Sequence, residues 1–281
     1  MQSTSKQLTP LNIPGYARAG FFSQTESTNT DALKLLASPD ATAREKLGEL
    51  SVLATDDQRA GRGRLDRQWT TPAGSALCAT FIVRPHASTQ PLRSEALRWL
   101  TMILALAARQ TLVEQGVDAG IKWPNDLVVG GRKIAGILAQ LSIEPTGEMS
   151  AVVGIGINTA MNPSQLPFET ATSMAIEGAK SPDNLELLQA LAASFADIYR
   201  RFAEAGGDAS APLTSGVSLV ELLRLHTITL GQEVAVHLPG DDIVQGVAVD
   251  LADDGEIMVR DPRGRVKSYA VGDVVHLRPA S

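Results

Sequence analysis

The chain has 281 residues, 44% hydrophobic and 20% charged, with a formal net charge of -6 and one cysteine. At about 150 residues per domain this makes one or two domains, long enough to bury a core without staples. The acidity argues against non-specific nucleic-acid binding, which runs on excess Lys and Arg, and a lone cysteine excludes an internal disulfide framework and favours a reducing, cytoplasmic compartment.

Residues 1–20, with Pro10, Pro14 and Gly15, read as a flexible lead-in, and the opening "MQSTSKQLTP" lacks the apolar stretch of a signal peptide. "STNTDALKLLAS" reads as a helix with a hydroxyl or amide cap at Ser27, Thr28 or Asn29. "LSVLATDDQ" is a short strand. "SALCATFIV" has no polar face and reads as a strand buried on both sides, which makes Cys78 a small core residue rather than a nucleophile. "LRSEALRWLTMILALAARQTLVEQ" reads as one long helix, its most apolar part well short of the ~20 residues that a membrane span needs. Three strand-like tracts follow, "GIKWPND", "LVVGGRKIAGILAQLSIE" and "MSAVVGIGIN", then an amphipathic helix, "NLELLQALAASFADIYRRFAEA". After about residue 226 short alternating runs separated by Gly, Asp and Pro suggest a small β-barrel. The expected division is 1–20, a mixed α/β domain over 21–225, and a barrel over 226–281. The four histidines are scattered without zinc spacing, so no metal site is expected from side chains alone.

Four tracts carry chemistry. In "QRAGRGRLDRQW", Arg59, Arg62, Arg64 and Arg67 are interleaved with Gly61 and Gly63. Glycines let backbone N–H groups come close to a ligand, and guanidinium forks suit carboxylate and phosphate oxygens. This describes an anion cradle, and a solvated basic loop reads equally well. It is not a P-loop, and Asp66 stands where a dinucleotide fingerprint needs its last glycine. In "IKWPNDLVVGGRKIAGIL", a two-residue turn at Gly130-Gly131 sets Val129 opposite Arg132 and Val128 opposite Lys133. Asp126 then shares a face with Lys133, as a functional pair or as a surface salt bridge, and Pro124 favours a bend that holds Asn125 and Asp126. In "AVVGIGIN", Ala151, Val153, Ile155 and Ile157 take one face. Val152, Gly154, Gly156 and Asn158 take the other, a nearly bare one that marks close approach of a ligand or of another element. Ser27-Thr28-Asn29 is most simply a helix cap, whose hydroxyls and amides are also able to bind a neutral polar group.

Together and in this order, "STN", "QRAGRGRLDRQW", "KWPND…RKIAGIL" and "GIGIN" resemble the biotin–protein ligases, also called biotin–[acetyl-CoA-carboxylase] ligases, over about residues 20–277. The resemblance implies an α/β (α+β type) fold. A mixed-sheet domain like that of the class II aminoacyl-tRNA synthetases is followed by an SH3-like barrel. It implies ATP and Mg2+ as substrate and activator, with no prosthetic group. Biotin is activated to biotinyl-5′-AMP with release of pyrophosphate, then transferred to a lysine of a biotin carboxyl carrier protein or domain. By that resemblance Ser27, Thr28, Asn29 and Gln58 hold the biotin rings. Arg62, Gly63 and Arg64 bind biotin and phosphate, and Lys133 meets the biotin carboxylate and the α-phosphate. Asn125, Asp126 and Asn158 surround the adenylate, Trp69 walls the pocket, and Arg62 also serves the nucleotide. Arg64, Lys133 and Asp126 are the expected catalytic groups, Asp126 toward the acceptor lysine.

This sequence departs from the family pattern at Leu65-Asp66, where many members have Arg-Gly, which implies a loop of different rigidity. The roughly 26 residues before Ser27 are too few for the winged helix of the repressor members, so no nucleic-acid partner is expected. No membrane partner is expected either, and a homodimer is left open. Two rivals stand beside this reading: a lipoate or other acyl ligase of the same superfamily, and an interaction protein whose arginine loop grips RNA or an acidic partner.

Overall fold

The computed structural model describes residues 7–64, 67–89, 91–181, 183–214, 216–238, 243–270 and 273–276. The first domain is built from β1 (Leu8–Leu11), β2 (Arg18–Phe22), α1 (Thr28–Leu36), α2 (Ala41–Glu45), β3 (Leu50–Thr55), β4 (Gly61–Arg62), β5 (Gln68–Trp69) and β6 (Ala76–Val83). It continues through α3 (Leu100–Glu114), β7 (Gly120–Lys122), β8 (Asp126–Val129), β9 (Arg132–Ile143), β10 (Met149–Asn158) and α4 (Asn184–Glu204). A small hairpin of β11 (Pro212–Thr214) and β12 (Val217–Ser218) leads into α5 (Leu219–His226).

Eight of the strands form one mixed sheet in the order β1-β2-β3-β6-β10-β9-β8-β7. Only β2 and β3 run parallel; the other neighbours are antiparallel. The expectation of a flexible lead-in over residues 1–20 is corrected from residue 8 onward, residues 1–6 lying outside the described residues. Leu8–Leu11 pairs with Arg18–Phe22 at the sheet edge, with Pro10 opposite Gly20. Pro10 is tolerated because an outermost strand can turn a missing N–H toward solvent. The long helix expected over 92–115 is instead a 3₁₀ segment, Ser94–Trp99, that passes into α3 at Leu100. By length and composition alone Ser94–Glu114 is long and apolar enough to cross a membrane, but most of its apolar part is packed inside the protein. Residues Ile103–Ala108 are completely buried.

Alternation along β10 divides the sheet as expected. Ala151, Val153, Ile155 and Ile157 join the core that α3 and α4 cover, with Phe81, Phe195 and Tyr199 at its centre. Val152 belongs to a second, smaller core on the other face, with Ala32 and Leu36 of α1, Leu53 and Ile82. Beyond Val152 that second face carries Gly154, Gly156 and Asn158, where α1 starts and a cavity opens. At the opposite end of these strands, Arg84 donates two hydrogen bonds to Glu144, of 2.7 and 2.9 Å, and Ser150 donates a third. Burial pushes the Glu144 carboxyl up; the hydrogen bonds from Arg84 and Ser150 outweigh it, leaving the group below the usual glutamate value.

The C-terminal unit is a five-stranded antiparallel sheet of β13 (Glu233–His237), β14 (Ile243–Leu251), β15 (Ile257–Arg260), β16 (Val266–Tyr269) and β17 (Asp273–His276), in the order β16-β15-β14-β13-β17. It is tied to the edge of the large sheet. Ile228 N donates to Ile121 O at 2.9 Å, Trp123 N donates to Thr229 Oγ1 at 3.0 Å, and Trp123 Nε1 donates to Gly255 O at 3.1 Å. The small sheet therefore grips the "KWPND" tract itself.

Candidate active site

A cavity of about 1850 Å³ opens on the bare face of β10. The residues that the resemblance assigns to ligands all line it: Ser27, Thr28, Asn29, Gln58, Arg62, Gly63, Arg64, Trp69, Asn125, Asp126, Lys133 and Asn158. Four segments distant in sequence are thus brought to one place.

One end is neutral and polar. Ser27 caps α1, its hydroxyl accepting from Thr30 N. Gln58 Oε1 accepts from Thr28 N at 2.9 Å, and Asn29 Nδ2 donates to Leu138 O and to Gln140 Oε1. The helix start is therefore also a set of buried groups whose partners come from β9 and from the segment after β3. Gly154 makes room for it, because a Cβ there would lie 2.0 Å from Asn29 Oδ1.

The other end is cationic. Lys133 Nζ donates to Asp126 Oδ1 at 2.6 Å and lies 5.8 Å from the centroid of the Trp69 ring. The pair forms because the Gly130-Gly131 turn sets Val129 opposite Arg132 and Val128 opposite Lys133. A bulge then shifts the register, so Leu127 faces Ala135 and Asp126 faces Gly136. The shift, not visible in the sequence, puts Lys133 and Gly136 on one face although they are three residues apart. Gly136 has no side chain to obstruct the lysine, since a Cβ there would come within 2.9 Å of Lys133 Nζ. A strap, Thr170–Thr172, holds the lysine backbone from the other side: Lys133 N donates to Thr170 O and Thr172 N to Lys133 O, both at 2.8 Å. Asn158 Nδ2 donates to Thr172 O at 2.9 Å and ties the strap to β10.

The arginine loop crosses between these ends. Its stem is the hairpin of β4 and β5, with Gly61 opposite Trp69 and Arg62 opposite Gln68. Gly63 N donates to Arg67 O, and Arg64 Nη1 reaches Asn125 Oδ1 at 3.3 Å. Arg62, Arg64 and Arg67 line the cavity, whereas Arg59 pairs with Asp57. The departure at Leu65-Asp66 lies outside the described residues. Trp69 lies over Gly156, where a Cβ would fall 2.3 Å from the indole. Cys78, opposite Gly156 in the register, has its thiol pushed up to about 12 by burial, so it is no thiolate at neutral pH.

Several lining groups escaped the sequence reading. Gln140 and Leu138 follow Gly136 on β9, and Phe168 and Glu169 stand on the strap's approach. Gln232, Leu238 and Ile243 come from the C-terminal unit. The alternation of β9 after its glycine was the available signal for the first two; nothing local marks the others.

A mixed sheet with helices on both faces, a cavity polar at one end and cationic at the other, and a small β unit closing the rim define an α/β protein with a cavity whose two ends differ in charge. Comparison with known proteins identifies the family. Residues 21–158 match the Biotin/lipoate A/B protein ligase family, and residues 229–277 match the Biotin protein ligase C terminal domain. The biotin–[acetyl-CoA-carboxylase] ligase of Mycobacterium tuberculosis is 30% identical over 94% of this chain and 91% of its own. The enzyme of that name from Paracoccus denitrificans is 32% identical over 86% and 94%. The biotin protein ligase of Aquifex aeolicus, solved in complex with biotin and ATP, superposes with a TM-score of 0.70 over 92% of this chain and 98% of that one, at 24% identity. The chain belongs to the biotin protein ligase family.

Proposed function

We propose that this protein activates biotin with ATP to biotinyl-5′-AMP, releasing pyrophosphate, and transfers the biotin to a lysine of a carboxylase carrier domain. One observation carries the reading: the cations Arg64 and Lys133 line the same cavity as the neutral cluster Ser27, Thr28, Asn29 and Gln58. A ligand that fits has a neutral polar head and an acidic tail, as biotin does.

The first step brings a carboxylate against a triphosphate, and the two repel. Arg64 and Lys133 offset that repulsion and stabilise charge on the α-phosphate as pyrophosphate leaves. Asp126 keeps the lysine ammonium aimed into the cavity until ligand oxygens compete for it. Trp69 and the arginine loop exclude water, which otherwise hydrolyses the acyl-adenylate. Asn125 and Asn158 lie beside the nucleotide. In the second step the acceptor lysine, with an unperturbed pKa of about 10.4, must attack in its neutral form. Asp126 is the carboxylate placed to orient it or take its proton.

Among the described residues no three His, Cys, Asp or Glu side chains converge as a metal cage. Magnesium does not require one, since it is usually held by one or two carboxylates and the substrate phosphates. Asp126 fits that donor role, and the ion would supply further neutralisation of phosphate charge.

The test is incubation with ATP, magnesium and labelled biotin, followed by mass spectrometry for biotinyl-5′-AMP, with lipoate in a parallel reaction. Formation of the biotin adenylate supports the reading. Adenylate from lipoate alone replaces it with the lipoate-ligase rival.

A further inference from the structure

We infer that Thr80, a residue outside the cavity, sets the proton order of the cavity's neutral end and thereby makes Thr28 an obligate hydrogen-bond acceptor for the ligand's head group. The inference rests on the biotin reading above and deepens it.

Thr80 is completely buried in β6, between Ala79 and Phe81, in a strand otherwise apolar. Its hydroxyl lies 2.7 Å from Thr28 Oγ1 and 2.7 Å from Asn29 Oδ1. One hydroxyl has one proton, so it cannot donate to both. The neighbours resolve which bond it makes. The Asn29 amide is oriented without ambiguity, because the atom 3.2 Å from the backbone carbonyl of Leu138 has to be its nitrogen. The same nitrogen meets Gln140 Oε1 at 3.1 Å. Asn29 Oδ1 therefore faces Thr80 and can only accept, which assigns the Thr80 proton to it.

The 2.7 Å contact between the two threonine hydroxyls then needs a proton from Thr28. Two oxygens at that distance with none between them repel. Thr28 has an alternative acceptor, Gln58 Oε1, but at 3.2 Å it is the more distant one, and it already accepts from Thr28 N at 2.9 Å. The order is Thr28 to Thr80 to Asn29.

Thr28 lines the cavity and Thr80 does not. With its proton committed inward, Thr28 Oγ1 offers the cavity lone pairs alone. Ser27 Oγ has the opposite bias, since it accepts from Thr30 N and keeps its own proton free to donate. Adjacent acceptor and donor hydroxyls select a ligand with an N–H next to a C=O. A cyclic urea such as the biotin head has this pair; the dithiolane of lipoate has no N–H. Thr80 is thus a positioning residue for specificity.

The experiment measures biotin affinity by calorimetry, and KM and kcat for pyrophosphate release, in wild type, Thr80→Val and Thr80→Ser. Valine keeps the shape and removes the relay, and should weaken biotin binding by about 5- to 10-fold, the net worth of the one ligand hydrogen bond that Thr28 no longer holds in order. The KM for biotin should rise in parallel, while kcat at saturating biotin and the KM for ATP stay within about threefold, the pattern of lost uniform binding. Serine keeps the hydroxyl and should bind within about threefold of wild type. If valine prevents folding, Thr80→Ala provides the same comparison. Wild-type biotin affinity in the variant without the hydroxyl, or a serine variant as weak as it, overturns the inference and leaves the ligase function standing. Failure of the wild type itself to bind biotin removes both.

Discussion

At the scale of single residues, the site depends on charge in one half and on missing atoms in the other. Lys133→Ala or Arg64→Ala should lower adenylation by about 10²–10³, the usual effect of removing one charge-stabilising donor, read as pyrophosphate release with biotin and ATP. Near wild-type rates in both would remove their proposed roles. Gly156→Ala tests the other half. Its methyl would meet the Trp69 indole at 2.3 Å, so the ring has to leave its place over β10. The variant should fold, with unchanged circular dichroism and altered tryptophan fluorescence, and lose ligand binding. An unmoved emission spectrum would contradict the packing described. These roles were partly legible beforehand: alternation alone showed that Gly154, Gly156 and Asn158 share a bare face, and the turn register alone put Asp126 with Lys133. Thr80 was not legible. One hydroxyl inside "SALCATFIV" does not break an apolar pattern, and its partners are some fifty residues away in sequence.

At the scale of elements, the long-range pairings escaped the reading more than the elements did. The helix at Thr28, the buried strand β6 and the β8–β9 hairpin follow from caps, periodicity and turn residues. The bulge at Leu127/Val128 and the Thr170–Thr172 strap follow from pairings that no local pattern encodes. The β1–β2 pair was missed because two prolines and a glycine suggest a loop unless an edge position is available. The turn joining β9 to β10 shows how such pairings are held. Glu144 sits just past β9, takes both Arg84 hydrogen bonds, and is nearly inaccessible. Glu144→Gln leaves the Arg84 charge without its partner and should destabilise the fold by about 3–5 kcal/mol, measured by urea denaturation at pH 7. The pH dependence has a definite sign. The folded pKa is depressed, so the stabilisation is complete above the ordinary glutamate value of about 4.3 and is lost as pH falls through the lower folded value. The glutamine variant should therefore have a shallower acid limb than wild type.

At the scale of the whole molecule, the change of texture near residue 226 precedes a separate five-stranded sheet, β13 to β17, a unit that periodicity alone does not join to the rest. The structure shows it sharing the site. Trp123 immediately precedes Pro124 and Asn125, and its indole donates to Gly255 in the turn between β14 and β15. Trp123→Phe keeps the packing and leaves that carbonyl without its donor, which should cost about 1–3 kcal/mol in denaturant titration. Because the same residue borders the cationic end, the variant should also bind nucleotide more weakly, checked by calorimetry with ATP. A stability loss with unchanged ATP binding would show that the two units are joined but not coupled.

Gln232, Leu238 and Ile243 complete a wall that the first 226 residues leave open. A polypeptide severed at His226 would then yield two fragments, each lacking what the other holds. Fused to a pair of proteins that meet in a cell, such halves would biotinylate only where the meeting occurs.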